Sequence, residues 1–123
     1  MGKHNDLGKK GEQTACDFLT EKNWIILEKN WRTGRAEIDI IAQDRHVLVF
    51  VEVKTRTTDV FEKPTETVST KKRRLMILAA IEYMHKIKHE GAIRFDIIGI
   101  ILKNENHFIE HLPDAFFPGI EAG

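Results

Sequence analysis

The sequence predicts an α/β domain in which a mixed central sheet of about five strands is flanked by two helices. Two observations lead to this fold class. Apolar residues recur at helical spacing in two stretches, whereas the other apolar runs have the composition of strands. These patterns follow the order helix, strand, hairpin, helix, hairpin. At 123 residues the chain has the usual size of one domain, so we expect a single domain over residues 1–123.

The first helix is predicted to be capped by Asn5 or Asp6 and to run to about Lys22. Gly8 and Gly11 each weaken such a helix by up to about 1 kcal/mol relative to alanine. Their presence in the first turns indicates that another part of the chain approaches the helix closely there.

Three β-rich runs follow this helix. A short strand is predicted over residues 24–30, and two further strands over 37–43 and 46–55 form a hairpin with Asp44 and Arg45 as its loop. Because side chains alternate along a strand, one face of this hairpin is expected to be pure core. That face holds Ile38, Ile40, Ala42, Val47, Val49, Val51 and Val53.

The second half of the chain is predicted to contain a loop, a helix and a hairpin. Pro64 and the polar composition of residues 55–69 oppose a regular element. Thr70 begins a helix to about His89, closed by Gly91 as a left-handed cap. Its main apolar stripe holds Met76, Ala80, Tyr83 and Ile87. Leu75, Leu78 and Ile81 lie elsewhere on it, so we expect this helix to be covered on more than one side. A final hairpin joins residues 93–102 to 107–112.

The other face of the first hairpin concentrates ionisable groups at one end. In the expected register Glu37 lies opposite Glu52, and Asp39 lies diagonal to it. Carboxylates placed across neighbouring strands repel each other unless a cation lies between them. Carboxylate oxygens suit Mg²⁺ or Mn²⁺, which accept a few protein ligands together with water and substrate phosphate.

Two further residues extend this candidate site. Lys54 follows Glu52 on the same strand face, where it can position or deprotonate an attacking water. Glu12 lies near the inward side of its helix and can reach the same metal. The alternative is a solvated strand face without chemistry, because an acidic residue two positions before a lysine is common in amphipathic strands.

Basic residues are concentrated locally between residues 54 and 74. The start of the second helix carries Lys71, Lys72, Arg73 and Arg74, and Arg56 lies at the start of the predicted loop. Cations and free backbone amides at a helix start bind phosphate well, so we expect Arg56, Lys71, Lys72 and Arg73 to contact nucleic acid. The alternative is a solvated helix end.

Other polar residues are interpreted as structural or exposed. Asp96 is expected to pair with Arg94 or a turn, with a role in the site left open. His85 and His89 have the spacing of zinc ligands, but no cysteine or third ligand accompanies them, so exposure is favoured. The same interpretation applies to His107 and His111 on the last strand.

Four segments, LGKKGEQTA, AEIDIIA, FVEVKTR and RFDII, resemble in order and spacing the YraN-like family of small bacterial proteins. That family is similar to archaeal Holliday-junction resolvases and looks like a branch of the PD-(D/E)xK nucleases. The resemblance implies a restriction-endonuclease-like fold, with Asp39 and Glu52 as metal ligands and Lys54 as the catalytic lysine. Glu12 would match the helical glutamate of resolvase-like members, and Ala36 replaces the glycine usual before the Glu-Ile-Asp element.

The sequence therefore predicts a metal-dependent endonuclease that hydrolyses phosphodiester bonds of DNA, with branched or repair intermediates among its substrates. The expected catalytic residues are Asp39, Glu52 and Lys54, and the expected ligands of Mg²⁺ or Mn²⁺ are Glu12, Asp39 and Glu52. Two alternatives stay open. One is a nucleic-acid-binding module that keeps the fold without cutting, and the other is an interaction subunit that docks a partner or forms a homodimer.

The formal charge and composition limit these alternatives. Hydrophobic residues make up 41% and charged residues 31% of the chain, as in soluble globular proteins. No stretch approaches the roughly 20 apolar residues of a membrane-spanning helix. The polar start lacks an export signal, so we expect a cytoplasmic protein without a membrane partner. The net charge of +0 argues against nonspecific coating of nucleic acid, so phosphate binding must be local.

Overall fold

A computed structural model describes residues 3–57 and 68–116, with side chains from residue 6 onward. Within these residues it contains two helices and five strands. The helices are α1 (Lys3–Glu21) and α2 (Thr70–Ile87). The strands are β1 (Ile25–Thr33), β2 (Ala36–Asp44), β3 (Val47–Thr57), β4 (Ile93–Lys103) and β5 (Asn106–Leu112).

The strands form one mixed sheet in the order β1-β2-β3-β4-β5. Strands β3 and β4 are parallel, and the other neighbours are antiparallel. A parallel pair needs a crossover connection, and α2 lies within the connection between these two strands. The predicted α/β class is confirmed, and the arrangement is consistent with a restriction-endonuclease-like fold.

The sheet has a separate apolar core on each face, because one helix covers each side. The core under α1 contains Ala15, Cys16, Leu19, Trp24, Ile40, Ala42, Val49, Val51, Ile98 and Ile100. The core under α2 contains Ala36, Ile38, Ile41, Leu48, Phe50, Met76, Ala79, Ala80, Tyr83, Phe95 and Phe116. None of the described helices is long and apolar enough to cross a membrane.

The prediction that Ile38 shares the pure-core face of the first hairpin is wrong. This residue packs under α2 with Ile41, whereas Ile40 packs under α1. The alternation of β2 is therefore interrupted next to Asp39. In the adjacent strand, Asn30 lies at the level of Asp39 and has a left-handed φ of 51° between two paired residues. Such irregularities increase the local twist and redirect side chains.

The helix boundaries differ from the prediction at two places. Helix α1 begins at Lys3, before the expected caps Asn5 and Asp6. Helix α2 starts at Thr70 as predicted, with Ser69 as its N-cap, but its left-handed cap is Lys88 with a φ of 57°, and not Gly91. Residues 58–67, which include most of the predicted loop and Pro64, lie outside the described residues.

Only one side of α2 is covered by the sheet. Met76, Ala80 and Tyr83 of the predicted stripe are buried, but Ile87 is 42% exposed. Leu78 and Ile81 also face outward in the single chain, so the expected second cover for this helix is absent among the described residues.

Candidate functional site

The register of the first hairpin determines which acidic residues meet. Asp44 pairs with Val47, so the turn consists of Arg45 and His46, and the predicted loop of Asp44 and Arg45 is wrong by one residue. Arg45 takes a left-handed φ of 60° in this turn. The pairing is therefore shifted by two residues, which preserves the face of each side chain but changes its partner.

The shift brings Asp39, and not Glu37, to the level of Glu52. Pairing between β2 and β3 ends at Ile40 and Val51, and one more residue in the same register is Asp39 beside Glu52. Glu37 instead pairs with Arg32 of β1, where the two side chains form an exposed ion pair at 3.3 Å. The expected opposition of Glu37 and Glu52 is wrong for this reason.

Asp39 is held in place by the backbone of β3. Its Oδ2 accepts a hydrogen bond of 2.8 Å from the N–H of Val53, just beyond the last paired residues. The Asp39 carboxylate thus accepts the hydrogen bond from a backbone N–H that would otherwise pair with a backbone carbonyl of β2. The end of the β2 and β3 pairing leaves room for a site at this edge.

Electrostatics couple Asp39 to Glu52. Burial raises the pKa of Asp39 to about 8, and the negative charge of Glu52 adds to this effect. The hydrogen bond from Val53 acts in the opposite direction without overcoming it. A side-chain hydrogen bond with Glu52 also raises the pKa of the half-buried Asp39. Without a cation between them, the two carboxyl groups therefore favour a proton held between them over ionisation of both.

Glu52 is 1% exposed and has only part of its hydrogen-bonding capacity satisfied. Its Oε2 lies 2.5 Å from the Lys72 ammonium and 3.7 Å from that of Lys54. Its Oε1 is buried without a hydrogen-bond partner among the described residues. Leaving a buried charged oxygen unpaired is costly, so this atom is a candidate ligand.

A cavity of about 270 Å³ brings together the four residues predicted to form the catalytic and metal site, Glu12, Asp39, Glu52 and Lys54. We call it the acidic cavity. Its remaining lining consists of Leu7, Gly8, Val53, Thr55, Arg56 and Lys72. Glu12 also contributes to the raised pKa of Asp39, although less than burial and Glu52 do.

The start of α1 reaches this cavity because Gly11 has no side chain. A Cβ at Gly11 would lie 2.9 Å from the Cβ of Thr55 and closer still to its hydroxyl oxygen. The expected close approach to the first turns is therefore confirmed at Gly11. At Gly8 it is wrong, because a Cβ there would meet nothing within 4 Å.

A second cavity of about 300 Å³ adjoins the first and shares Asp39 and Lys72 with it. We call it the basic cavity because three cations line it. Its lining consists of Arg35, Glu37, Asp39, Ser69, Lys71, Lys72 and Leu75. Sequence reasoning missed Arg35, and the only available signal was its position in the turn directly before β2.

The four predicted nucleic-acid contacts have different surroundings. Arg56 lines the acidic cavity, Lys71 lines the basic cavity, and Lys72 lines both. Burial lowers the pKa of Lys72, but the charge and hydrogen bond of Glu52 outweigh it, so the pKa is raised overall. Arg73 lines neither cavity. Its guanidinium lies over the ring of Phe116, 5.5 Å from the centroid, and donates to the Val68 carbonyl.

The donor set of the acidic cavity suits a hard divalent cation. Mg²⁺ is usually held by one or two carboxylates and completes its coordination with water and substrate phosphate. Asp39 and Glu52 supply two carboxylates, and Oε1 of Glu52 is unpartnered. In residues 3–57 and 68–116, no group of three or more His, Cys, Asp or Glu side chains could by itself hold a metal ion. A bound ion would therefore depend on water and substrate oxygens as well.

Asp96 is a second buried carboxylate, and it has a structural role. It is fully buried and accepts hydrogen bonds from the Arg94 guanidinium at 2.8 and 2.9 Å, and from the N–H of Asp114 at 2.9 Å. The expected pairing with Arg94 and a turn is confirmed. His111 also pairs with Asp96, at 2.7 Å, so its predicted exposure is wrong. Burial acts to raise the pKa of Asp96. The hydrogen bonds from His111 and Arg94 outweigh this effect, so the pKa is lowered overall.

None of the other histidines whose side chains the structure describes lines either cavity. His107 and His85 are exposed, and the ring of His89 lies 3.0 Å from the carbonyl oxygen of Ala92.

Comparison with known proteins identifies relatives over nearly the whole chain. Residues 11–100 match the model of "Uncharacterised protein family UPF0102". A UPF0102 protein of Bacteroides thetaiotaomicron is 42% identical over 118 residues, which are 96% of this chain and 98% of the relative. One from Flavobacterium psychrophilum is 45% identical over 117 residues, 95% and 98% of the two chains. One from Thermodesulfovibrio yellowstonii is 45% identical over 112 residues, 91% and 96% of the two chains. The chain therefore belongs to the UPF0102 family, the YraN-like family that its motifs resemble.

Proposed function

We propose that this protein is a divalent-metal-dependent endonuclease that hydrolyses phosphodiester bonds of DNA, with branched or repair intermediates among its substrates. The observation that carries the proposal is the buried, unpartnered Oε1 of Glu52 beside Asp39, in a cavity that also contains Lys54. A structural ion pair would satisfy both oxygens of such a carboxylate. A nuclease needs one free to hold an ion next to the scissile phosphate.

Asp39 and Glu52 would hold Mg²⁺ or Mn²⁺, and Glu12 would add a third negative charge from the α1 side of the cavity. When bound, such an ion polarises the phosphate and makes a water molecule more acidic. The Val53 N–H fixes the orientation of Asp39, so its second oxygen stays available to the cavity.

Lys54 would act on the attacking water and the phosphate. Its ammonium lies 3.7 Å from Oε2 of Glu52, and its side chain is 19% exposed, so it borders the cavity while staying in contact with the acids. From there it can orient the water by hydrogen bonding and offset the negative charge that develops on the phosphate oxygens.

The basic residues would bind the nucleic-acid backbone. Lys71 and Arg35 line the basic cavity, and Arg56 lines the acidic cavity, so a strand that crosses both meets cations on each side of Asp39. This local arrangement agrees with a chain of formal net charge +0. It supports binding at one site without coating of long nucleic acid.

The test is cleavage of duplex, single-stranded and branched DNA by purified protein with Mg²⁺ or Mn²⁺. Wild type is expected to cut at least one of these substrates, and Asp39→Ala is expected to lose at least about 100-fold in rate. Asp17→Ala is the matched control, because Asp17 is an exposed acid of α1 that does not line the acidic cavity. Wild type as inert as Asp39→Ala on all substrates would contradict the proposal.

A nucleic-acid-binding module without cleavage is the second candidate function. The basic cavity favours it, because cations around a helix start bind phosphate without any metal. DNA binding that weakens with salt, without cleavage in either metal, would select this alternative.

A further inference from the structure

Lys72 is shared by the acidic and basic cavities. Its backbone lies in the first turn of α2, where its N–H donates to the Ser69 hydroxyl at 3.2 Å. Its side chain is 41% exposed although its ammonium lies 2.5 Å from a glutamate side chain that is 2% exposed. The partner of the most buried acid in the site is thus a long side chain that reaches in from the surface.

The position of this ammonium conflicts with that of a bound divalent ion. An ion held by Asp39 and Glu52 would lie within a few ångströms of the Lys72 ammonium. Two positive charges about 4 Å apart repel strongly in a partly buried site. In the absence of an ion, by contrast, the same ammonium offsets the charge of Glu52. The two cations would therefore compete for one carboxylate, the ammonium at Oε2 and the ion at Oε1.

We propose that Lys72 is a displaceable counter-ion, which pairs with Glu52 in the metal-free protein and turns into the basic cavity to bind a substrate phosphate when a divalent ion is held by Asp39 and Glu52. This inference rests on the proposed function, because it assumes the metal site. It adds that metal binding and phosphate binding are coupled through the side chain of Lys72.

The geometry allows this exchange without movement of the backbone. A lysine side chain has four flexible carbons and rotates between sites easily. Lys72 already lines the basic cavity, together with Arg35 and Lys71, which are the groups expected to hold a phosphate beside it. Metal binding would thus free Lys72 to contact a phosphate. Phosphate binding would in turn draw Lys72 away from Glu52, where it competes with the metal. Each ligand would favour the other by the same factor.

The first test is calorimetric titration with Mn²⁺, without nucleic acid, at a pH above the raised pKa of Asp39 so that proton competition is small. Lys72→Met keeps most of the side-chain volume but removes the competing charge. It is expected to bind Mn²⁺ roughly tenfold more tightly than wild type. Lys71→Met removes a neighbouring lysine that has no ion pair with Glu52, and is expected to change the affinity less than about twofold. Equal or weaker binding by Lys72→Met would overturn the inference.

The second test follows the wild-type protein during the metal titration and needs a variant only to assign one signal. A lysine ammonium in a tight ion pair exchanges its protons slowly enough to give a proton–nitrogen NMR signal. The signal of Lys72, assigned by its absence in Lys72→Arg, is expected to disappear or move to the position of solvated lysines on titration with Mg²⁺. A signal that persists unchanged at saturating Mg²⁺ would overturn the inference.

The outcomes separate the two proposals. If wild type cleaves DNA and binds metal, but Lys72→Met binds Mn²⁺ no more tightly, only the role of Lys72 is wrong. If neither wild type nor Lys72→Met binds Mn²⁺, the metal site is wrong, and the proposed function and the inference fail together.

Discussion

Glu52 and Asp96 are both almost fully buried, on neighbouring strands and one residue apart in register, yet their surroundings are opposite. Both oxygens of Asp96 accept hydrogen bonds, from two side chains and one backbone N–H. Glu52 has two lysines at one oxygen and no partner at the other among the described residues.

The difference separates a structural acid from a candidate functional one. Asp96 connects β4 to β5 through His111 and to the following segment through Asp114, so its charge is used within the fold. Oε1 of Glu52 has no hydrogen-bond partner in the part of the chain that the structure describes, and it is the atom that the proposed ion would contact. Burial alone would not have distinguished the two residues, whereas their partners do.

The largest effect expected from this comparison is on stability. Asp96→Asn removes the closest counter-charge of the partly buried Arg94, which keeps only the longer pair with Asp44 at 3.8 Å, and should lower the free energy of unfolding by about 3 kcal/mol. Glu52→Gln removes a buried charge whose lysine partners reach solvent, and should cost much less. Urea denaturation of both variants with a chelator present checks this. Equal losses would show that the two acids are structurally equivalent.

The pH dependence of stability should have opposite signs at the two acidic sites. The pKa of Asp39 is about 8 in the folded protein against an ordinary 3.8, so the folded state holds a proton that the unfolded chain releases. Its contribution is complete below pH 3.8 and is lost as the pH rises to about 8. The pKa of Asp96 is lowered from its ordinary 3.8, so its contribution is present above pH 3.8 and is lost as the pH falls through the lowered pKa.

Denaturation between about pH 5 and 8, in chelator, measures this dependence. The free energy of unfolding of wild type should fall relative to that of Asp39→Asn by up to about 1.4 kcal/mol per pH unit. Parallel curves for the two proteins would show that Asp39 is not protonated in the folded state.

A smaller effect is expected where α1 closes the acidic cavity. Gly11→Ala forces a methyl group against Thr55 and should cost about 1–3 kcal/mol. Gly8→Ala is the matched control, because its new methyl group meets nothing and the better helix propensity should stabilise by up to about 1 kcal/mol. Thermal denaturation of the two variants compares them directly. Stabilisation by both would show that the contact between Gly11 and Thr55 is loose.

The smallest effect is expected for an exposed acid of the same strand as Asp39. Glu37 pairs with Arg32, whose side chain is 76% exposed, and such pairs contribute little. Glu37→Gln should change the free energy of unfolding by less than about 0.5 kcal/mol. If Glu37→Gln lowers the free energy of unfolding as much as Asp96→Asn does, exposure does not explain the different contributions of the two acids.

Much of the fold follows from local patterns. The alternation in FVEVK places Phe50 and Glu52 on the same strand face, and the start of α2 was correctly predicted at Thr70 from the polar residues before it. The turn between β2 and β3 was harder, because Asp44, Arg45 and His46 all suit a turn. An error of one residue in the turn shifts the register by two residues. The predicted register therefore put Glu37 opposite Glu52, where the structure has Asp39.

Contacts between distant segments could not be predicted from such patterns. The pairs Lys72 with Glu52 and His111 with Asp96 join different elements, and no periodicity relates their members. The change of face at Ile38 likewise accompanies the left-handed Asn30 in another strand. The sequence indicated the residue types of the site, but tertiary packing determines which acid stays unsatisfied.

Phe116 supports the candidate site from a distance. Its ring is stacked on Phe95, with centroids 4.9 Å apart, and the Arg73 guanidinium covers it. Arg73 directly follows Lys72 in the first turn of α2. A recombinant protein shortened before Phe116 would therefore lose the aromatic platform beneath that turn, so a failure of such a protein to cut DNA would not by itself identify a catalytic group.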